Sequence, residues 1–96
     1  MSERTAHATT DPEAILARVL DVFRREVPEK TAGVPLGRDS DLRADLGLDS
    51  GYFIGLLVAL EDEFDVELDT TDVSHVESLG DVARLVTAAL AAAGRP

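Results

Sequence analysis

Ser50 and the aspartate before it, in the run Asp45-Leu46-Gly47-Leu48-Asp49-Ser50, are the residues of this chain best placed to do chemistry. Asp49 has the character of a helix N-cap, which makes Ser50 the first residue of the apolar helical stretch that follows. A group bonded to that hydroxyl would project from the helix end, with any phosphate in it beside the positive end of the helix dipole. Nucleophilic catalysis by the same serine would need a base to take its proton and a third group to orient the base. The chain holds two histidines, His7 in a polar N-terminal stretch and His75 in a short connection. The spacing also misses the Gly-x-Ser-x-Gly elbow, because Leu48 stands where the first glycine belongs and no strand is expected to lead into the turn. Ser50 reads as an attachment point, with no catalytic residue beside it.

A metal site fares no better. Asp39-Ser40-Asp41 opens like a calcium-binding loop, but Arg43 then falls at the fifth position, Ala44 at the sixth and Ser50 at the twelfth. The absence of cysteine excludes disulfides and thiolate ligation. His75 alone reads as a capping or surface residue.

Ninety-six residues make one domain with a modest core. There is no apolar run of roughly 18 residues and no basic-then-apolar leader, so the expectation is a cytoplasmic protein with no membrane span. Net charge is −10, and its distribution says more than its size. Thirteen acids and one base, Arg43, lie between Asp39 and Asp81, whereas the rest of the chain holds six acids and eight bases. The acidity sits on the segment that carries Ser50. Nucleic acid and anionic membranes would be repelled, and basic protein surfaces attracted.

The elements that must position the serine follow from periodicity. Residues 1–10 are polar and patternless and read as a disordered tail, leaving 11–93 as the folded domain. Asp11-Pro12 starts a helix whose apolar positions run Ile15, Leu16, Val19, Leu20, Phe23 and Val27, and Pro28 ends it. Pro28 to Leu48 is a long loop, to be pinned by Leu36, Leu42 and Leu46, with a turn of helix over Ser40–Asp45. The second helix runs from Ser50 to about Phe64, with Phe53, Leu56, Leu57, Leu60 and Phe64 on one stripe. Ile54 and Val58 widen its apolar surface beyond what one core face requires. Thr70–His75 reads as a short helix or tight turn. Ser78-Leu79-Gly80-Asp81 reads as a capping box opening a last helix. The predicted fold is all-α, a four-helix bundle of three main helices and a short one, with a long loop between the first and second. Its core is expected to comprise Ile15, Val19, Phe23, Leu42, Leu46, Phe53, Leu57, Leu60, Phe64, Val76, Leu79, Val82 and Val86.

At this point the chain resembles a known family, the acyl carrier proteins. Their signature, Asp-Leu-Gly-x-Asp-Ser, is matched throughout by Asp45 to Ser50. The likeness continues through Ala59-Leu60-Glu61-Asp62-Glu63-Phe64, Val66-Glu67-Leu68, Val76 and Leu79, and covers Asp11 to about Leu90. The resemblance implies a free-standing, monomeric, non-enzymatic carrier. It further implies 4′-phosphopantetheine bonded covalently to Ser50 by a phosphopantetheinyl transferase. Asp49 would support that transfer by helping to hold magnesium in the transferase complex. Acyl-loading and acyl-transfer enzymes and synthases with basic docking surfaces would then read the second helix.

Two positions depart from the family. Gly51 stands where a leucine or similar residue is usual, and Gly55 where carriers of fatty acid synthesis often have an acid. Each glycine in a helix interior costs about 1 kcal/mol relative to alanine. Spaced by four, they share a face with Ile54 and Val58. The expectation is a recessed, more apolar docking face of Gly51, Ile54, Gly55, Val58 and Asp62, fitted to partners of a polyketide or related secondary-metabolite pathway with an acyl or aminoacyl cargo. The bland alternative is drift at tolerant surface positions. The rival function is an unmodified acidic interaction module of the same fold, against which the intact Asp49-Ser50 pair argues. A regulatory acidic protein imitating nucleic acid is a further rival, disfavoured by the aliphatic face beside Ser50.

Overall fold

The computed structural model describes residues 11–68 and 75–94. Within them lie four helices: α1 Pro12–Glu26, α2 Pro28–Thr31, α3 Ser50–Phe64 and α4 Leu79–Ala92. The fold is all-α, as expected. The proposed tail over residues 1–10, and all of the expected Thr70–His75 helix except His75, fall outside the described residues.

α1 begins where the Asp-Pro signal places it. Asp11 accepts a hydrogen bond from the Glu13 N–H, and proline occupies the first helical position, where no N–H is missed. Its stripe, Ile15, Leu16, Val19, Val22 and Phe23, is buried. Pro28 does end α1, but it also opens the four-residue α2 at the start of the expected long loop. The physical reason is the same one that started α1: proline fixes φ for a first helical turn.

α1 is the central element, packing on α4 and on α3, while α3 and α4 touch each other less. Most of the expected core is buried, joined by Leu16, Val22, Val27, Leu48, Leu56, Leu68, Ala83 and Leu90. Phe53 and Val76 are corrections: both are only half-buried and pack against the edge of the core. Both line the cavity that opens beside Ser50, which leaves each of them partly uncovered.

The long loop is held by backbone bonds to the start of α4. The Gly80 N–H donates to Arg38 O at 2.8 Å, Leu79 N–H to Ser40 O at 3.0 Å, and Leu42 N–H to Glu77 O at 2.9 Å. Asp41 and Ser78 form an isolated antiparallel bridge. Leu42 and Leu46 pin the loop as expected, but Leu36 is only half-buried. The capping box at Ser78 is complete, with Ser78 Oγ accepting from the Asp81 N–H and the Asp81 carboxylate accepting from the Ser78 N–H.

At the far end, Arg18 donates to Glu63 O and Oε2 and lies 4.3 Å from the centre of the Phe64 ring, while Arg25 reaches Glu63 Oε1. The two guanidiniums, Arg18 first, hold the Glu63 carboxyl below its usual range. The Asp81 carboxyl is lowered chiefly by the Glu77 N–H, and then by that of Ser78. A carboxylate with a lowered folded-state pKa adds stability that is complete above its unfolded value, about 4, and is lost as pH falls through the folded one. Lowering the pH towards the pI near 4.4 also reduces the self-repulsion of a chain with net charge −10. The melting temperature is therefore expected to hold or rise from about pH 7 to 5 and to fall below about pH 4. A midpoint still climbing at pH 3, measured by circular dichroism, would remove these carboxylates as native-state anchors.

Candidate functional site

The six residues that carried the sequence reading form one continuous device. Asp41 caps a turn of helix: its Oδ1 accepts from the N–H groups of Arg43 and Ala44, both at 2.8 Å. Asp45 reaches back so that its Oδ2 accepts from the Asp41 N–H at 2.7 Å. The Ala44 and Arg43 N–H groups pull the Asp41 carboxyl below the ordinary carboxylate range. The turn closes with an αL cap, in which the Gly47 N–H donates to Arg43 O, while the Leu48 N–H reaches back to Leu42 O, both at 2.9 Å. Gly47 has φ 66°, the left-handed conformation that this motif needs and that glycine adopts without steric cost. Leu42, Leu46 and Leu48 are buried beneath it.

The chain then enters α3 directly. Asp49 is its N-cap, accepting from the Tyr52 N–H at 3.0 Å, and Ser50 is its first residue. Every side chain of the run thus has a local task except Ser50, which is left exposed at the helix start. Gly47 turns the backbone, Leu46 and Leu48 anchor it, and Asp49 caps the helix whose mouth presents the hydroxyl.

The other expected site residues lie along α3. Gly51, Ile54, Gly55, Val58 and Asp62 are all exposed, with Ile54 at 51% and Val58 at 59%. A Cβ at Gly55 would meet nothing within 4 Å, and one at Gly51 would meet only Asp49 Oδ1 at 3.4 Å. The fold itself requires neither glycine. Of the three consecutive acids near the helix end, Glu63 binds the arginines of α1 and Glu61 accepts from the Leu68 N–H. Asp62 is exposed and makes no ion pair among the described residues.

Sequence reasoning missed the surroundings of Ser50. A cavity of about 400 Å³ opens beside it, lined by Asp41, Leu42 and Arg43 and by Val76 and Glu77, two segments joined by the Leu42–Glu77 hydrogen bond. Among the described residues, Leu48, Asp49, Ser50 and Phe53 also line it. Opposite, Lys30 of α2 lies 5.0 Å from the centre of the Tyr52 ring, so a cation also stands over the first turn of α3. Arg43 was visible beforehand as the one base in the acidic segment. Nothing local in the sequence marks Val76 and Glu77 as its neighbours.

A family model described as a phosphopantetheine attachment site matches residues 13–86. The mitochondrial acyl carrier protein of Saccharomyces cerevisiae is 32% identical over 84 residues, a match spanning 84% of this chain and 66% of that protein. The acyl carrier protein of Saccharopolyspora erythraea is 33% identical over 84 residues, spanning 74% of this chain and 88% of that one. Among solved structures, a Mycobacterium tuberculosis chain described as a candidate acyl carrier protein superposes with a TM-score of 0.63 at 27% identity. That superposition covers 77% of this chain and 96% of the other.

Proposed function

The chain belongs to the acyl carrier family, non-catalytic proteins that bear a covalent 4′-phosphopantetheine, and on that premise we propose that Ser50 is its attachment residue and residues 11–93 its carrier domain. The observation that carries this reading is the exposed Ser50 hydroxyl at the first position of a capped helix, with a cavity beside it. The residues fit the group: the hydroxyl is accessible, the helix N-terminus favours a phosphodiester, and the cavity offers both polar and apolar surface. Attachment would form an Oγ–P bond as the pyrophosphate P–O bond of coenzyme A breaks, adenosine 3′,5′-bisphosphate leaving and the hydroxyl proton passing to a base of the transferase. Once bound, the arm supplies a terminal thiol on which an acyl or aminoacyl group is held as a thioester. Ser50 needs no activation from its own chain, and Asp49 keeps a carboxylate oxygen for the magnesium of the transferase complex. Intact mass after incubation with coenzyme A, magnesium and a broad-specificity phosphopantetheinyl transferase tests the assignment.

We assign partner recognition to Gly51, Ile54, Gly55, Val58 and Asp62. The exposed aliphatic pair and the glycines give α3 a recessed apolar face, and Asp62 adds a charge that pairs with no described residue. Acyl-loading enzymes and synthases with basic surfaces fit it, and the pathway is read as polyketide or related secondary metabolism. The carrier is read as a monomer of the cytoplasm, where coenzyme A is available; no described helix is long and apolar enough to cross a membrane. Asp62→Lys is expected to slow transferase or loading reactions severalfold at low salt and to leave the melting curve unchanged, because rim charges act mainly on association rates. Unchanged kinetics at low ionic strength would count against this face.

A further inference from the structure

The cavity beside Ser50 has a property that the attachment reading does not use. Among the described residues that line it, three carry carboxylates, Asp41, Asp49 and Glu77, and one carries a cation, Arg43. A phosphodiester on Ser50 adds another negative charge to the most acidic part of the chain, between Asp39 and Asp81. Repulsion alone would drive the arm away from the protein. Two of the carboxylates are already engaged, Asp41 by the N–H groups of Arg43 and Ala44 and Asp49 by that of Tyr52. The Arg43 guanidinium is exposed and forms no ion pair with any described residue.

We propose that Arg43 is a positioning residue for the prosthetic arm, pairing with its phosphodiester and holding the arm in the cavity lined by the 41–43 turn, Val76–Glu77 and the start of α3. The inference rests on attachment at Ser50 and adds where the arm lies. Guanidinium is suited to the role, since its planar donors match phosphate oxygens and it stays charged at any working pH. Apolar surface from Leu42, Leu48, Phe53 and Val76 suits the dimethyl and methylene parts of pantetheine, and the polar rim its amides. The cavity lies in the range that holds small ligands, about 300–1,000 Å³. Its position also separates tasks: the arm rests on one side of the α3 start, leaving Ile54 and Val58 open to partners.

The test compares amide NMR spectra of the full chain before and after loading, with intact mass confirming a single arm. In the wild type, loading is expected to shift the amides of Leu42, Arg43, Val76 and Glu77 as well as those of Ser50 and Gly51. In Arg43→Ala the first group should stay at its unloaded positions while Ser50 and Gly51 still move, and Arg43→Lys at low salt should restore part of the shift. The side chain is exposed, so the unloaded variant should otherwise keep the wild-type spectrum. Loaded wild type with unmoved Val76 and Glu77 amides, or an Arg43→Ala pattern equal to wild type, would overturn the role of Arg43 and leave attachment standing. A folded wild type that gains no mass would overturn both.

Discussion

Ser50→Ala is expected to abolish the gain of one phosphopantetheine completely while leaving the domain folded. The hydroxyl is exposed, and α3 is capped by Asp49, so its removal takes away the acceptor and no support of the helix. Alanine at an early helical position is at least as favourable as serine, by a few tenths of a kcal/mol. The aspartate before it can be dissected in the same assay. Asp49→Asn keeps an N-cap of nearly equal strength but removes the carboxylate, so it should slow loading with little change in stability, whereas Asp49→Ala also loses about 1 kcal/mol of capping. If Ser50→Ala still gains the arm, the attachment residue lies elsewhere. If the folded wild type gains nothing, the unmodified interaction module of the same fold becomes the better reading.

The largest effect on stability is expected at a glycine far from that serine in sequence. A Cβ at Gly80 would lie 2.7 Å from Arg38 Cγ and 2.9 Å from the Arg38 carbonyl oxygen. The Cγ can swing aside. The carbonyl is fixed by the Gly80 N–H, and the neighbouring Leu79–Ser40 bond holds the same strand of loop. Gly80→Ala must therefore push the 38–40 segment off the start of α4, and overpacking of this kind costs about 1–3 kcal/mol. Gly55→Ala is the matched control. It meets open space, so the better helix propensity of alanine should leave it neutral or more stable by up to about 1 kcal/mol. Urea unfolding of the two variants should give shifts of opposite sign; a stable Gly80→Ala would mean that the loop is less firmly held than its hydrogen bonds indicate. Because Leu42 donates to Glu77 O in the same seam, loosening it also disturbs the cavity wall beside Ser50.

These two glycines mark the boundary of what was legible in advance. Both sit in helical segments, and the intrinsic helix penalty of glycine does not tell one position from the other. Only the packed structure shows that Gly80 is a contact point for another chain segment and that Gly55 is a gap in an exposed face. Phe53 and Val76 make the same point in the opposite direction. The sequence pattern placed both in the core, but burial also depends on what stands across from a residue, and both of these face a cavity.

The sequence by itself determined the helices with strong ends and the device at Ser50, because both are local. Asp11-Pro12, Asp49 and Ser78 with Asp81 cap through hydrogen bonds to backbone two to four residues away, and the observed starts of α1, α3 and α4 follow from them. The Asp45–Ser50 run could be read for the same reason: the turn, its anchors and the cap all lie within one short span. Tertiary structure alone decided how the long loop is stitched to α4, which face of α3 stays open, and that Arg43 shares a cavity with Val76 and Glu77. Those pairings join residues more than thirty positions apart. They are set by side-chain volume and backbone register across elements, which no local spacing records.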